Sequence, residues 1–189
     1  QITPAFPTVN DIITLQYDAS QGNGGLIGVS PVYTHTGIVT QNGLPSSWSY
    51  VQGSWGQPDS NVLMSDLGNN IHEMIIDIDQ YYGFPSGTNV EKLAFVFRNA
   101  DGSLEGKTAT MGDLFYPIYP VNGGFQAAII KPYTDLLVDV GDVFSFEAQT
   151  NSNANLQLFD NGILIADTTN STIIEKNIFN QLDLNILKN

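Results

Sequence analysis

The chain has 189 residues, of which 13% are charged, with 19 Asp and Glu against 6 Lys and Arg for a net charge of −13. A field of that sign repels phosphate backbones and anionic headgroups, which speaks against nucleic acid as a partner, and the lack of any cysteine excludes disulfides, thiolate metal sites and a Cys nucleophile. No apolar run reaches the roughly 18 residues that a membrane-spanning helix needs, and a composition rich in Gly, Asn, Ser, Thr and aromatics points to a β-rich fold.

In chain order, "QITPAFPTVND" begins at Gln1 and carries neither a basic nor an apolar leader pattern. The expectation is that a signal peptide has been removed and that the protein is secreted or displayed at a cell surface. "DIITLQYDAS" alternates with period two, which puts Ile13, Leu15 and Tyr17 on one face of a strand and Ile12, Thr14 and Gln16 on the other. "SQGNGGLIG" is Gly-rich, but a phosphate cradle would need a following helix and usually a Lys, so it reads as a loop.

Strands are predicted at "PVYTHTGIV", "SWSYVQ" and "HEMIIDI", and again at "EKLAFVFRN", where Leu93, Phe95 and Phe97 form an apolar face. "DQYYGFPSGTN" has room for one helical turn before Gly83, Pro85 and Gly87 end it. "DLFYPIY" is a further strand. "YPVNGG" then marks a joint, and the domain boundary is placed there, giving residues 1–119 and 120–189. The first part carries 11 acidic and 3 basic residues, net −8, and the second 8 and 3, net −5.

In the second part "GFQAAIIKP", "LLVDVGDVFSFEAQT", "ANLQLFDNGILIAD", "STIIEKNIF" and "LDLNILKN" read as short strands, with "DNG" at 160–162 a hairpin turn. The predicted fold class is all-β: two β-sandwich domains, the second immunoglobulin-like and, at about 70 residues against the usual 100, incomplete.

Catalytic chemistry has little to stand on. Asp77 and Asp79 in "IIDIDQ" would share a strand face about 7 Å apart, a spacing that glycoside hydrolysis can use, yet strand-end aspartates more often cap turns. A Ser-His-acid triad would need His35 or His72, and no nucleophile elbow is present. No cofactor is expected, although "RNADGSLEG" offers Asn99, Asp101, Ser103 and Glu105 as oxygen ligands for calcium; a hairpin turn at Asp101 and Gly102 is the stronger reading.

Binding chemistry has more. From Val32 to Gly56 no residue is charged, while Tyr33, His35, Trp48, Tyr50 and Trp55 stand among Thr, Ser, Gln and Gly. Rings that stack on the apolar faces of sugars, rimmed by amide, hydroxyl, imidazole and guanidinium groups, suit a neutral glycan. Tyr33 and His35 share one strand face, and Trp48 and Tyr50 share another. Each of these rings could equally stabilise the sheet or line the core.

"VYTHTGIVT", "SSWSYV", "LAFVFRNADGSLEGKT" and "GDLFYPIY" resemble the N-terminal β-sandwich of exported α-amylase-family proteins of the Bacteroidetes, which an immunoglobulin-like segment often follows. A weaker similarity runs to starch-binding modules of carbohydrate-binding families 25 and 26. The resemblance covers most of residues 10–119 and, more loosely, 124–165.

It implies a non-catalytic accessory region of a secreted glycoside hydrolase that binds or orients α-glucan such as starch. Tyr33, His35 and Trp48 would be the first contacts, with Tyr50, Trp55 and Arg98 behind them, and a catalytic domain would lie downstream in the same chain. Where those modules carry Trp-Asp-Asn-Asn after the "FVFR" strand, this chain has "SLEGKTATMGD" and so lacks one stacking ring. The competing expectation is a pair of structural, export or surface-interaction domains that bind no glycan.

Overall fold

A computed structural model describes residues 1–41, 43, 47–132 and 139–179. The chain forms two compact units, Gln1–Asn122 and Gly123–Asn189, which places the break just past the expected 119/120 boundary. Both units are all-β.

The first unit consists of two antiparallel sheets. One has the order β1 (Ile2–Thr3), β2 (Ile12–Asp18), β6 (Ile71–Asp77) and β5 (Ser65–Gly68). The other runs β4 (Ser49–Gln52), β3 (Tyr33–Thr40), β7 (Val90–Arg98) and β8 (Glu105–Gly106), with β9 (Leu114–Pro117) also paired to β7. Period-two alternation decides which residues enter the space between the sheets. Ile13, Leu15 and Tyr17 of β2 and Ile76 of β6 meet Ile38 of β3 and Leu93, Phe95 and Phe97 of β7 in one buried cluster. Each such side chain contributes about 1.5–3 kcal/mol on full burial. Ile2 joins the cluster from β1, a short strand that no alternation signals.

"IIDIDQ" departs from the expected strand. Asp77 ends β6 and caps a five-residue helix, α1 (Ile78–Tyr82), by accepting a hydrogen bond from the Gln80 amide, while Asp79 lies in the first helical turn. Gly83 closes α1 in a left-handed conformation, as the glycine at that point in the sequence predicts. Tyr82 of this helix is buried, and its hydroxyl lies 2.7 Å from Thr36 Oγ1. Because Thr36 donates its own proton to the Ala94 carbonyl, Tyr82 is the donor in that contact.

The second unit differs from the expected run of short strands. Its described residues form one three-stranded sheet: β10 (Ala127–Lys131), β11 (Val143–Asp160) and β12 (Ile163–Phe179). The "DNG" turn is there, with Asn161 and Gly162 both at positive φ, the conformation that a two-residue hairpin needs. "VFSFEAQT" and "ANLQLFD" fuse into one strand because Asn151, Ser152 and Asn153 between them include neither Gly nor Pro. The polar stretch is absorbed by register shifts between Gln149 and Leu156 instead of breaking the ladder. "LDLNILKN" and residues 136–138 of "LLVDVGDVFSFEAQT" lie outside the described residues. The second half of an immunoglobulin-like sandwich is not found among the described ones.

Candidate functional site

The outward face of the β4–β3–β7 sheet carries the aromatic residues. On β3, Tyr33, His35, Gly37 and Val39 point away from the core, and directly opposite on β7 stand Arg98, Val96, Ala94 and Lys92. Gly37 makes room at the centre: an added Cβ would lie 3.2 Å from Trp48 Cβ and 3.0 Å from the Ser49 carbonyl. Ala94 and Val96 are buried although they face away from the core. A second packed layer therefore lies outside the sheet.

His35 is the middle of that layer. Its ring centroid is 5.8 Å from Trp48, tilted by 31°, and 5.4 Å from Trp55 at 86°. Nδ1 lies 3.0 Å from the Gly53 carbonyl. A carbonyl only accepts, so Nδ1 carries the proton and Nε2 of the neutral ring is an acceptor. Burial holds the imidazole below its usual pKa, the Arg98 charge adds to this, and the Gly53 hydrogen bond opposes it. His35 is thus neutral at physiological pH.

Trp55 sits on a loop, 43% exposed, and sequence pattern alone does not place it. Two contacts do. Its indole lies on Gly102, where an added Cβ would come within 2.6 Å of Nε1. The loop that carries it is tied down by Arg98, whose Nη2 donates to the Ser54 and Gln57 carbonyls at 3.1 and 2.7 Å, while Nη1 donates to the carbonyls of Asn99 and Ala100.

Arg98 is consequently 0% exposed, and its guanidinium lies 5.1 Å from the Tyr33 ring, which is itself only 7% exposed. Both were expected to contact a ligand, and neither has surface to do so. Arg98 instead ties down the loop that carries Trp55, with its guanidinium packed on the Tyr33 ring.

Tyr50 was expected beside Trp48. It is 41% exposed, but its φ of 52° breaks the alternation and its ring turns to Phe84, 6.2 Å away. The β3–β4 pairing shifts register between Thr36 and Ile38, so two residues of separation on β4 no longer mean one face.

Phe115, by contrast, escapes the sequence reading. It stands opposite Ala94 on β9 and meets Trp48 edge to face at 6.4 Å, with its ring 39% exposed. The rings of Phe115, Trp48, His35 and Trp55 form one continuous row. The alternation of "DLFYPIY" puts Phe115 opposite in sense to Leu114 and Tyr116, which signals an outward ring though not its neighbour on the sheet.

The remaining candidates carry no reactive geometry. His72 is 1% exposed among core residues, with its ring 6.3 Å from that of Tyr17, and neither ring nitrogen has a hydrogen-bond partner among the described residues. The "RNADGSLEG" oxygens are engaged in the β7–β8 hairpin: Asp101 accepts from both Ser103 N and Oγ, and Asn99 pairs with Leu104 N and Ser103 Oγ. Among the described residues no three His, Asp or Glu gather as a metal site, and no helix is long and apolar enough to cross a membrane.

A groove of about 300 Å³ exists in the second unit, lined by Lys131, Ser145, Phe146, Glu147, Glu175 and Asn177 among others. Phe146 is the lone ring in its lining, whereas the first unit presents four rings in an open row.

A family model described as a domain of unknown function (DUF8578) matches residues 1–105, more than half of the chain and everything from β1 to the start of β8. No curated protein matches the chain.

Proposed function

We propose that this chain, which belongs to the DUF8578 family, is a non-catalytic carbohydrate-binding region whose first unit holds a neutral α-glucan such as starch on the outward face of the β4–β3–β7 sheet. The carrying observation is the Trp48–His35–Trp55 group. Two indoles flank a neutral imidazole with an acceptor nitrogen, on a surface whose charged neighbour Arg98 is buried. Stacking rings beside a hydrogen-bonding group match the apolar faces and hydroxyl rim of a sugar.

The row's edge-to-face angles, 82° between Trp48 and Phe115 and 86° between His35 and Trp55, leave no single flat plane. Such a surface suits a chain that turns from one sugar to the next, as α-linked glucans do, better than a flat ribbon. The resemblance to α-amylase-family accessory domains adds a context: a secreted or cell-surface glycoside hydrolase whose catalytic domain lies elsewhere in the polypeptide.

Titration of tryptophan fluorescence with maltooligosaccharides tests this. Trp48→Ala should weaken binding by about 1–2 kcal/mol, roughly five- to thirty-fold. An unchanged spectrum of the wild-type chain at millimolar ligand would sink the proposal.

A second reading has its own observation. Arg98 is occupied in holding loops and Tyr33 is buried against its guanidinium, as expected of a structural or surface-interaction domain. On that reading Trp48 and Trp55 act as the lid of the outer layer, and Trp48→Ala costs stability with no sugar response to lose.

A further inference from the structure

We infer that Phe115 and Lys92 form an additional subsite at the end of the aromatic row, taking the next unit of a linear oligosaccharide. This rests on the glycan-binding reading and extends it to residues outside the row's predicted members. Three observations carry it.

The first is continuity. Phe115 meets Trp48 at 6.4 Å, so a chain lying over Trp48 reaches Phe115 without crossing bare backbone. Exposure is the second. Leu114 and Tyr116 pack against the core while Phe115 between them stays 39% exposed, beside the small Ala94.

The third is charge. Of the three bases in the first unit, Arg98 is spent on four carbonyls and Lys107 on Glu105 and Asp113, at 2.9 and 3.8 Å. Lys92 has no carboxylate within ion-pair distance among the described residues, and its Nζ stands 6.0 Å from the Phe115 ring centre. An ammonium at that distance gains little from the ring. With no hydrogen-bond acceptor among the described residues, its N–H donors can serve the hydroxyls of a sugar stacked on Phe115.

The pairing thus repeats the chemistry at His35, with a donor in place of an acceptor. It also predicts that affinity depends on ligand length, because short oligosaccharides are held by Trp48, His35 and Trp55 before Phe115 is reached.

The full chain is titrated with maltotriose and maltoheptaose, following tryptophan emission and, independently, calorimetric heat. In the wild type the longer sugar binds more tightly. Phe115→Ala and Phe115→Leu each reduce maltoheptaose affinity by about five-fold or more and leave maltotriose within about two-fold, the expected scale for one aromatic contact. Lys92→Met costs about two- to five-fold for maltoheptaose alone, and Lys92→Arg restores it.

Melting temperatures near wild type confirm that the variants fold. The Leu variant keeps the apolar contact and separates stacking from packing. Equal affinity for the two sugars in the wild type, or variants that weaken both lengths alike, overturns the subsite while the binding reading stands. Failure of both sugars to bind the wild type overturns the two together.

Discussion

At the scale of single residues, the two basic side chains buried deepest in the first unit, Arg98 and His72, act in opposite ways. Arg98 is a cation with no carboxylate in ion-pair contact among the described residues, solvated by four backbone carbonyls from two loops. Only the planar guanidinium spans such a set. Arg98→Lys should therefore destabilise the unit by about 2–4 kcal/mol, measured by denaturant unfolding, because at least two carbonyls lose their donor in a site closed to water. Trp55 emission should shift red as its loop loosens. His72 illustrates the other case. Burial lowers its pKa, with Asp66 across the sheet opposing this only partly, and Tyr17 beside it has its phenol pushed up to about 12. The unfolded chain therefore takes up a proton near the ordinary histidine value of about 6.5 that the folded chain refuses. Stability is complete above that pH and falls as pH drops below it, by up to about 1.4 kcal/mol per unit until the folded pKa is reached. His35 adds in the same direction. Unfolding midpoints between pH 8 and pH 5 should show this slope, and His72→Leu should flatten it.

Among the elements, the turns decide where the rings go. Gly102 has a φ of 71° and lies directly under Trp55. Gly102→Ala should cost about 1–2 kcal/mol in backbone strain and displace the indole, changing Trp55 emission even where the unit stays folded. An unaltered spectrum would mean that Trp55 is not seated there. Most strands of both sheets were legible: β2, β3, β4, β6, β7 and β9 were expected from sequence, and alternation assigned the core faces of β2 and β7. The site was legible in part. His35, Trp48 and Trp55 do come together, but Tyr50 leaves the group because a left-handed residue and a register shift carry no mark in the alternation pattern. Arg98, expected as a ligand contact, is buried instead, because the carbonyls that bury it come from loops more than 40 positions apart, which no local pattern shows. Phe115 went unseen since a pattern tells which way a side chain points and not which strand lies beside it.

For the molecule as a whole, the buried cluster is drawn entirely from residues between Ile2 and Ile118, and the whole aromatic row falls within the same unit. The second unit has a different character: its hairpin leaves Val143, Phe159, Ile163 and Phe179 exposed, and it contains no tryptophan. Tryptophan emission therefore reports on the first unit alone. A chain of residues 1–122 should fold by itself, with the emission spectrum and unfolding midpoint of the full chain, because none of its core is removed. It should also bind maltoheptaose with the full chain's affinity. Charge makes the same experiment sharper. The net −13 of the chain creates a field that salt screens, but a neutral sugar has no charge for that field to act on. Affinity in either chain should then stay constant between about 0.05 and 0.5 M salt, where the Debye length shrinks from roughly 14 to 4 Å. A loss of binding in residues 1–122, or a steep salt dependence, would relocate the ligand contact to the second unit or to a charged partner, and the aromatic row would revert to a structural layer.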